Sequence, residues 1–399
     1  MEAPSTIQNE SRVGFDRPLF IAVVLLVCFG LVMIYSASGV RASVLQGDPM
    51  FFLKKQAGFA AVGFFAMLIA SQINYHVYGK FIYPMLTLSI FGLLAVHSPI
   101  GKTINGASRW IGIGPLTLQP AEWMKVILIL WLSYSLAKKS EKIKSFSIGF
   151  LPHLIVPGII ILLCLSQPDF GTSVVVATLT FSLLFVAGAK LSYMMLACVA
   201  AAPVAYYLVA GTDYRLRRIL AFLDPIANRF HDGYQLTQSL FGFSAGGVWG
   251  SGIGDGLQKF FFLPEPQNDF IASIIGEELG VVGIWVMLSI FALVTVRCAT
   301  IAYRSRDEFG MYIGVGLTVL FGVQYIINLG VAMGLLPTKG LTLPFISYGG
   351  SSLVISMAAV GILLNVSKRP APFKAAVKEQ ASKTENRMRR KRQAAGEAV

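Results

Sequence analysis

Ten stretches of about twenty residues each, nearly free of charge, dictate what this chain can become. They cover residues 18–36, 51–70, 79–97, 120–137, 148–166, 171–188, 191–210, 270–296, 309–334 and 346–366. About 20 apolar residues are needed for a helix to cross a hydrocarbon core roughly 30 Å thick. Within lipid, each such segment must also satisfy its own backbone hydrogen bonds. Composition agrees: of 399 residues, 55% are hydrophobic and 13% charged, with mean hydropathy +0.66. A soluble protein of this length would be far more polar. The expected class is an all-α polytopic membrane protein of about ten transmembrane helices, with a large extracytoplasmic loop between the seventh and eighth. Pro152, Pro157 and Pro168 interrupt the fifth and sixth stretches and soften their boundaries.

The first stretch ends in Ser36-Ala37-Ser38, similar to a signal-peptidase site, but its apolar run is too long for a signal peptide and further spans follow, so an uncleaved anchor is expected. Cys28, Cys164, Cys198 and Cys298 all fall within or at the ends of spans and read as small packing residues. Four histidines without ligand spacing give no zinc signal. Placing both termini in the cytoplasm puts 21 of the 33 Lys and Arg inside, including Lys138, Lys139, Lys142 and Lys144 in one loop and Arg297, Arg304 and Arg306 in another. Three regions follow: a cytoplasmic segment 1–17, a transmembrane domain 18–368, and a basic tail 369–399 expected to be disordered, Arg389–Arg392 included. That tail reads as a topology anchor or as a contact for anionic lipid and cytoplasmic partners.

Two outer loops are large. Residues 98–119 are too polar to span; with Trp110 and Ile111 beside Lys102 and Arg109, they suit an amphipathic segment lying in the interface. Residues 211–268 form the main water-exposed insertion, glycine-rich through Gly242–Gly256 but without a dinucleotide or phosphate-loop fingerprint. It leads into Leu263–Gly280, LPEPQNDFIASIIGEELG, which sets Asp269 at the entrance of an apolar helix and Glu277 and Glu278 further inside. Carboxylates are expensive in hydrocarbon and count there as functional candidates.

Each candidate has two readings. Asp269 is either a proton acceptor or a helix N-cap. Pro264 and Pro266 stiffen the approach, and Glu265 between them either orients substrate or faces water. Glu122 and Lys125, three apart on one helix face, form either packing glue or a pair turned toward a cavity. Asp169 sits in a breaking turn, Gln167–Thr172, where it lines the cavity or caps the sixth span. Arg109, Arg215, Arg217, Arg218 and Lys339 are outer-side cations that suit an anionic lipid head group or merely face water. Glu277 and Glu278 read as interhelix partners.

Over about residues 15–368 the chain resembles the SEDS proteins of bacterial cell-wall synthesis (shape, elongation, division, sporulation). The resemblance rests on GASRWI with LQPAEWMK, QPDFGT, YRLRRILAFLDP, GYQLTQSL, LPEPQNDFIASIIGEELG and LPTKGLTLPFISYGGSS, all in order. The segments around Lys339 and Tyr234 are more similar to the division member than to the elongation member. Membership implies a peptidoglycan glycosyltransferase that polymerises lipid II at the outer face of the cytoplasmic membrane, at the septum, with undecaprenyl pyrophosphate leaving. It also implies a class B penicillin-binding protein and other divisome membrane proteins as partners. Asp269 matches the family's catalytic Asp. Lys55, Arg109, Glu122, Lys125, Asp169, Arg215, Glu265, Lys339 and Ser351 form the set expected along the substrate and pyrophosphate cavity.

Two positions depart from the family pattern: Gln267-Asn268 stands where His-Thr is common, and Lys55 where Arg is common, which removes a bidentate fork. No cofactor is required by the sequence, although a divalent cation, Mg²⁺ or Mn²⁺, is compatible with a pyrophosphate leaving group. A lipid II flippase or transporter and a non-catalytic division scaffold are the competing readings. A transporter wants its charges near the midplane, whereas Asp269 is expected at the edge.

Overall fold

The computed structural model describes residues 15–104, 107–113, 116–211 and 213–368. The ten expected spans correspond to helices α1 (Arg17–Gln46), α2 (Phe51–Gln72), α4 (Ile82–Ala95), α5 (Pro120–Lys138), α6 (Pro152–Ser166), α7 (Phe170–Val186), α8 (Leu191–Ala210), α11 (Ile271–Tyr303), α12 (Glu308–Ala332) and α13 (Gly350–Ser367). Short α3 (His76–Lys80) precedes α4, and α9 (Asp213–Leu223) and α10 (Tyr234–Gly246) lie between α8 and α11. The segment 1–14 and the tail 369–399 lie outside the described residues. Six helices are long and apolar enough to cross a membrane, and three shorter apolar ones accompany them. The tenth, α5, owes its lower hydropathy to Glu122 and Lys125. It is also the most enclosed, with Met124, Leu128, Ile129, Leu132 and Leu136 wholly buried.

The prolines sit where their chemistry allows. Pro152 starts α6, Pro157 is buried inside it, and Pro168 precedes the Asp169 cap of α7. Pro18 and Pro120 open α1 and α5, where a missing N–H costs nothing. All four cysteines are free thiols.

Two latches calibrate the bundle against the membrane. At one end the Arg297 guanidinium holds both oxygens of Asp16, and the Asp16 N–H reaches Ser367 Oγ at 3.0 Å. At the other, Ser36 Oγ donates to the Glu278 carboxylate at 2.6–2.7 Å. Along α1, the roughly twenty residues from Asp16 to Ser36 rise about 30 Å, the thickness of the hydrocarbon core. Both ends of the described chain therefore share one end of the bundle, and the Ser36–Glu278 latch lies about 30 Å along α1 from them.

Residues 98–118 depart from the expected interfacial amphipathic segment. They form a three-stranded antiparallel sheet of β1 (Gly101–Ile104), β2 (Ala107–Ile113) and β3 (Leu116–Leu118), with Gly101 opposite Ile111 and Ile111 opposite Leu118. Thr103 and Ser108 bond across the strands at 2.7 Å. Strands let the run satisfy its backbone while alternate side chains point to opposite faces.

The 211–268 insertion is likewise more than a water-exposed loop. Gly280 has φ 63°, ψ −162°, a conformation essentially confined to glycine, and breaks α11 near its start. The carbonyls of Glu277 and Glu278 lose their partners four residues on and instead accept from Ser251 N–H (2.9 Å) and Gly252 N–H (3.0 Å). Val281 and Val282 donate to the Gly247 and Val248 carbonyls at 3.0 and 3.2 Å. Irregular backbone at membrane depth survives only where protein re-satisfies it, and this turn does so bond for bond.

Candidate active site

Three successive carbonyls ahead of α11 fix the approach to Asp269. Tyr348 N–H donates to Gln267 O at 2.9 Å, Ser347 Oγ to Asn268 O at 2.7 Å, and Asn328 Nδ2 to Asp269 O at 2.9 Å. The same Asn328 nitrogen reaches Leu341 O at 2.6 Å. The 336–349 strap, containing Lys339 and Gly340, is thus bound to the 267–269 turn at several points. Gln56 of α2 secures the strap's far end, donating to Ser347 O at 3.2 Å and accepting from Gly349 N–H at 3.3 Å. Asn328 lies roughly twenty residues, about 30 Å, along α12 from its start near the described termini, so Asp269 stands at the opposite end of the bundle.

The Asp269 side chain is partly buried. A side chain at Gly340 would come within 3.1 Å of Asp269 Oδ2 and 3.9 Å of the Arg109 guanidinium, so acid and cation border one small space that glycine leaves open. Arg109 projects from β2 and donates through Nε to Gln167 O at 3.2 Å and through Nη2 to Pro168 O. Arg218 of α9 donates to Thr338 O at 3.3 Å, and Lys339 Nζ lies 4.2 Å above the Phe170 ring. Burial lowers the Lys339 pKa. Desolvation pushes the Asp269 carboxyl up to about 6; the Glu265 and Asp169 charges add to the rise, and Arg109 and Arg218 oppose it. Such a group is ionised at neutral pH yet basic enough to take a proton.

The remaining candidates divide. Asp169 caps α7, accepting from Thr172 N–H (3.1 Å) and Thr172 Oγ1 (2.8 Å), and its charge still reaches Asp269. Glu265 adopts φ 46° and accepts from Asn268 Nδ2 at 2.8 Å. Glu122 and Lys125 pair at 2.7 Å, both buried. Ser351 belongs to the scaffold, donating to Thr117 O at 3.2 Å and accepting from Gln119 N–H at 3.3 Å, which ties the sheet to α13. Lys55 is exposed, 4.2 Å above its neighbour Phe51, and joins none of these groups. Arg217 faces Asp232 at 3.4 Å. The side chain of Arg215 lies outside the described residues.

Sequence reasoning passed over Asn328, Ser347 and Gln56, polar residues in apolar or loop context whose bonds only the fold reveals. It also passed over Lys259, buried and paired with Glu278 at 2.9 Å. Glu277 accepts from Leu257 N–H at 2.7 Å; both acids therefore hold the re-entrant turn, and Glu278 alone bridges to another spanning helix. No three His, Cys, Asp or Glu converge as a metal-ligand group among the described residues.

A polytopic helical membrane protein carrying an acid beside an arginine at the end of the bundle remote from the described termini is the class these features define. The chain belongs to the cell cycle protein family of FtsW, RodA and SpoVE, whose profile matches residues 16–371. It is 43% identical over 357 residues, 89% of this chain and 97% of the relative, to a probable peptidoglycan glycosyltransferase FtsW of Geobacter sp. strain M18. Its fold is similar to a chain in a peptidoglycan synthase complex (TM-score 0.73, 27% identity, 89% of this chain and 98% of that one). The rod shape determining protein RodA of Thermus thermophilus is also similar (TM-score 0.65, 26% identity, 89% and 97% covered).

Proposed function

We propose that this integral membrane protein is a peptidoglycan glycosyltransferase of cell division, polymerising lipid II with Asp269 as general base. The relatives' names support the activity, and the surroundings of Asp269 support the mechanism. The ionised Asp269 carboxylate accepts the proton of the acceptor sugar's 4-hydroxyl as that oxygen bonds to the donor's anomeric carbon. The anomeric C–O bond breaks and undecaprenyl pyrophosphate departs with the electron pair. Because that leaving group is a weak base, it requires positive charge rather than a proton, and Arg109, Arg218 and Lys339 supply it. One carboxylate then suffices where a glycosidase needs two.

The observation that carries this reading is the joint placement of Asp269 and Arg109 beside Gly340, at the edge remote from the termini. A carrier would hold its charges at mid-depth, whereas Glu122 and Lys125 sit in the first two turns of α5, at the end next to the sheet. With the termini in the cytoplasm, the site faces outward, where lipid II presents its sugars. A class B penicillin-binding protein would cross-link the product at the septum, as befits kinship with a synthase complex that coordinates polymerization and crosslinking. Chelation addresses the cofactor: polymerisation that persists in EDTA places the pyrophosphate on the cations alone, whereas a loss restored by Mg²⁺ or Mn²⁺ adds the ion. The direct test supplies purified protein and partner with lipid II. Glycan strands are expected from the wild type and none from folded Asp269→Asn; flipping without polymer would favour transport.

A further inference from the structure

At the membrane edge shared by the termini, a cleft of about 410 Å³ opens between α1, α11 and the end of α13. Arg17, Arg297 and Arg304 contribute its charge, and Phe15, Pro18, Ile301 and Val366 its apolar wall. The single acid, Asp16, is already committed: Arg297 takes both of its oxygens and Leu19 N–H adds a third bond at 3.0 Å. Thr300 Oγ1 donates to Val296 O, and Ser367 Oγ donates to Leu364 O while accepting from Asp16 N–H. Arg17 and Arg304 are exposed and have no polar partner among the described residues. The cleft therefore offers spare N–H donors and two guanidinium charges that no carboxylate among the described residues neutralises. That polarity selects a ligand bearing several anionic oxygens, of which phosphate fits the guanidinium fork.

Its depth narrows the source. The Asp16–Arg297 latch lies about 30 Å from the Ser36–Glu278 latch, so the cleft is level with the head groups of one leaflet. Apolar walls beside the arginines suit the glycerol and first methylenes of a lipid. We propose that this cleft binds the phosphate of an anionic phospholipid in the leaflet on the termini side. Basic pockets between spanning helices bind lipid head groups in this manner.

The test uses the full chain in detergent, with native mass spectrometry reading bound lipid and thermal unfolding reading stabilisation. The probes are phosphatidylglycerol, phosphatidylcholine with the same acyl chains, and inorganic phosphate. Phosphatidylglycerol should bind more tightly than phosphatidylcholine, and Arg17→Gln with Arg304→Gln should weaken it by about 30-fold, the effect of two surface cations. Lys144→Gln, an exposed cation in a loop outside the cleft, should leave binding unchanged. Equal binding of the two lipids, or phosphatidylglycerol binding unaltered in the double variant, would overturn the proposal. Inorganic phosphate stabilising the protein as well as phosphatidylglycerol does would overturn the lipid source.

Discussion

Asp269 has to be ionised to accept a proton, yet its partly desolvated position makes ionisation costly; a pKa of about 6 is where these demands meet. Polymerisation should therefore rise with pH along a limb centred near 6. Glu265→Gln removes a neighbouring negative charge and should move that limb to lower pH, whereas Arg218→Gln should move it higher; initial rates from pH 5 to 8 would show both shifts. Stability follows the opposite sense. A carboxyl whose folded pKa lies above its unfolded value of 3.8 favours the protonated fold, so stability is lost as pH rises from about 4 to 6. Asp269→Asn should unfold at a temperature no lower than wild type at pH 7.5, and a marked drop would show that the acid serves the fold. At this scale the place of Asp269 ahead of an apolar helix was legible in the sequence, since an acid before an apolar run stands out. The contacts of Asn328 and Ser347 were not, because a bond to a carbonyl 59 or 79 residues distant leaves no local pattern.

Among the elements, the broken start of α11 is the feature that periodicity could not disclose. A glycine in an apolar stretch reads as ordinary, and only the exchange of four backbone bonds with residues 247–252 identifies Gly280 as the break in the helix. Gly280→Ala should cost at least about 2 kcal/mol, combining left-handed strain with collision against Gly250 N and Val248 O. Gly322→Ala in α12, with open space around it, should be neutral or stabilising by up to about 1 kcal/mol. Thermal unfolding of the two variants would separate these cases. The buried pair on α5 gives a second contrast. Lys125→Met alone leaves an uncompensated acid and should destabilise by about 3–5 kcal/mol, while Glu122→Gln with Lys125→Met should recover most of the fold. If the pair lines the substrate cavity, turnover of the double variant should stay at least about tenfold down. Full activity would reduce the pair to packing. Spacing of three predicted that pairing; the sheet over residues 98–118 went unread, and its tie to Ser351 spans 234 residues of sequence.

For the whole molecule, ten apolar stretches fixed the architecture because the bilayer leaves a helix few alternatives. The two latches stand about 30 Å apart along α1, and the described chain's ends lie at the end of the bundle opposite Asp269. This separation is what distinguishes a polymerase at the lipid edge from a carrier with a site at mid-depth. The most direct measurement is glycan synthesis from lipid II by the purified protein with its class B partner, wild type against Asp269→Asn at matched folding. The wild type should make strands and the variant none, with lipid II still bound. Strands of normal length and rate from the variant would contradict the account.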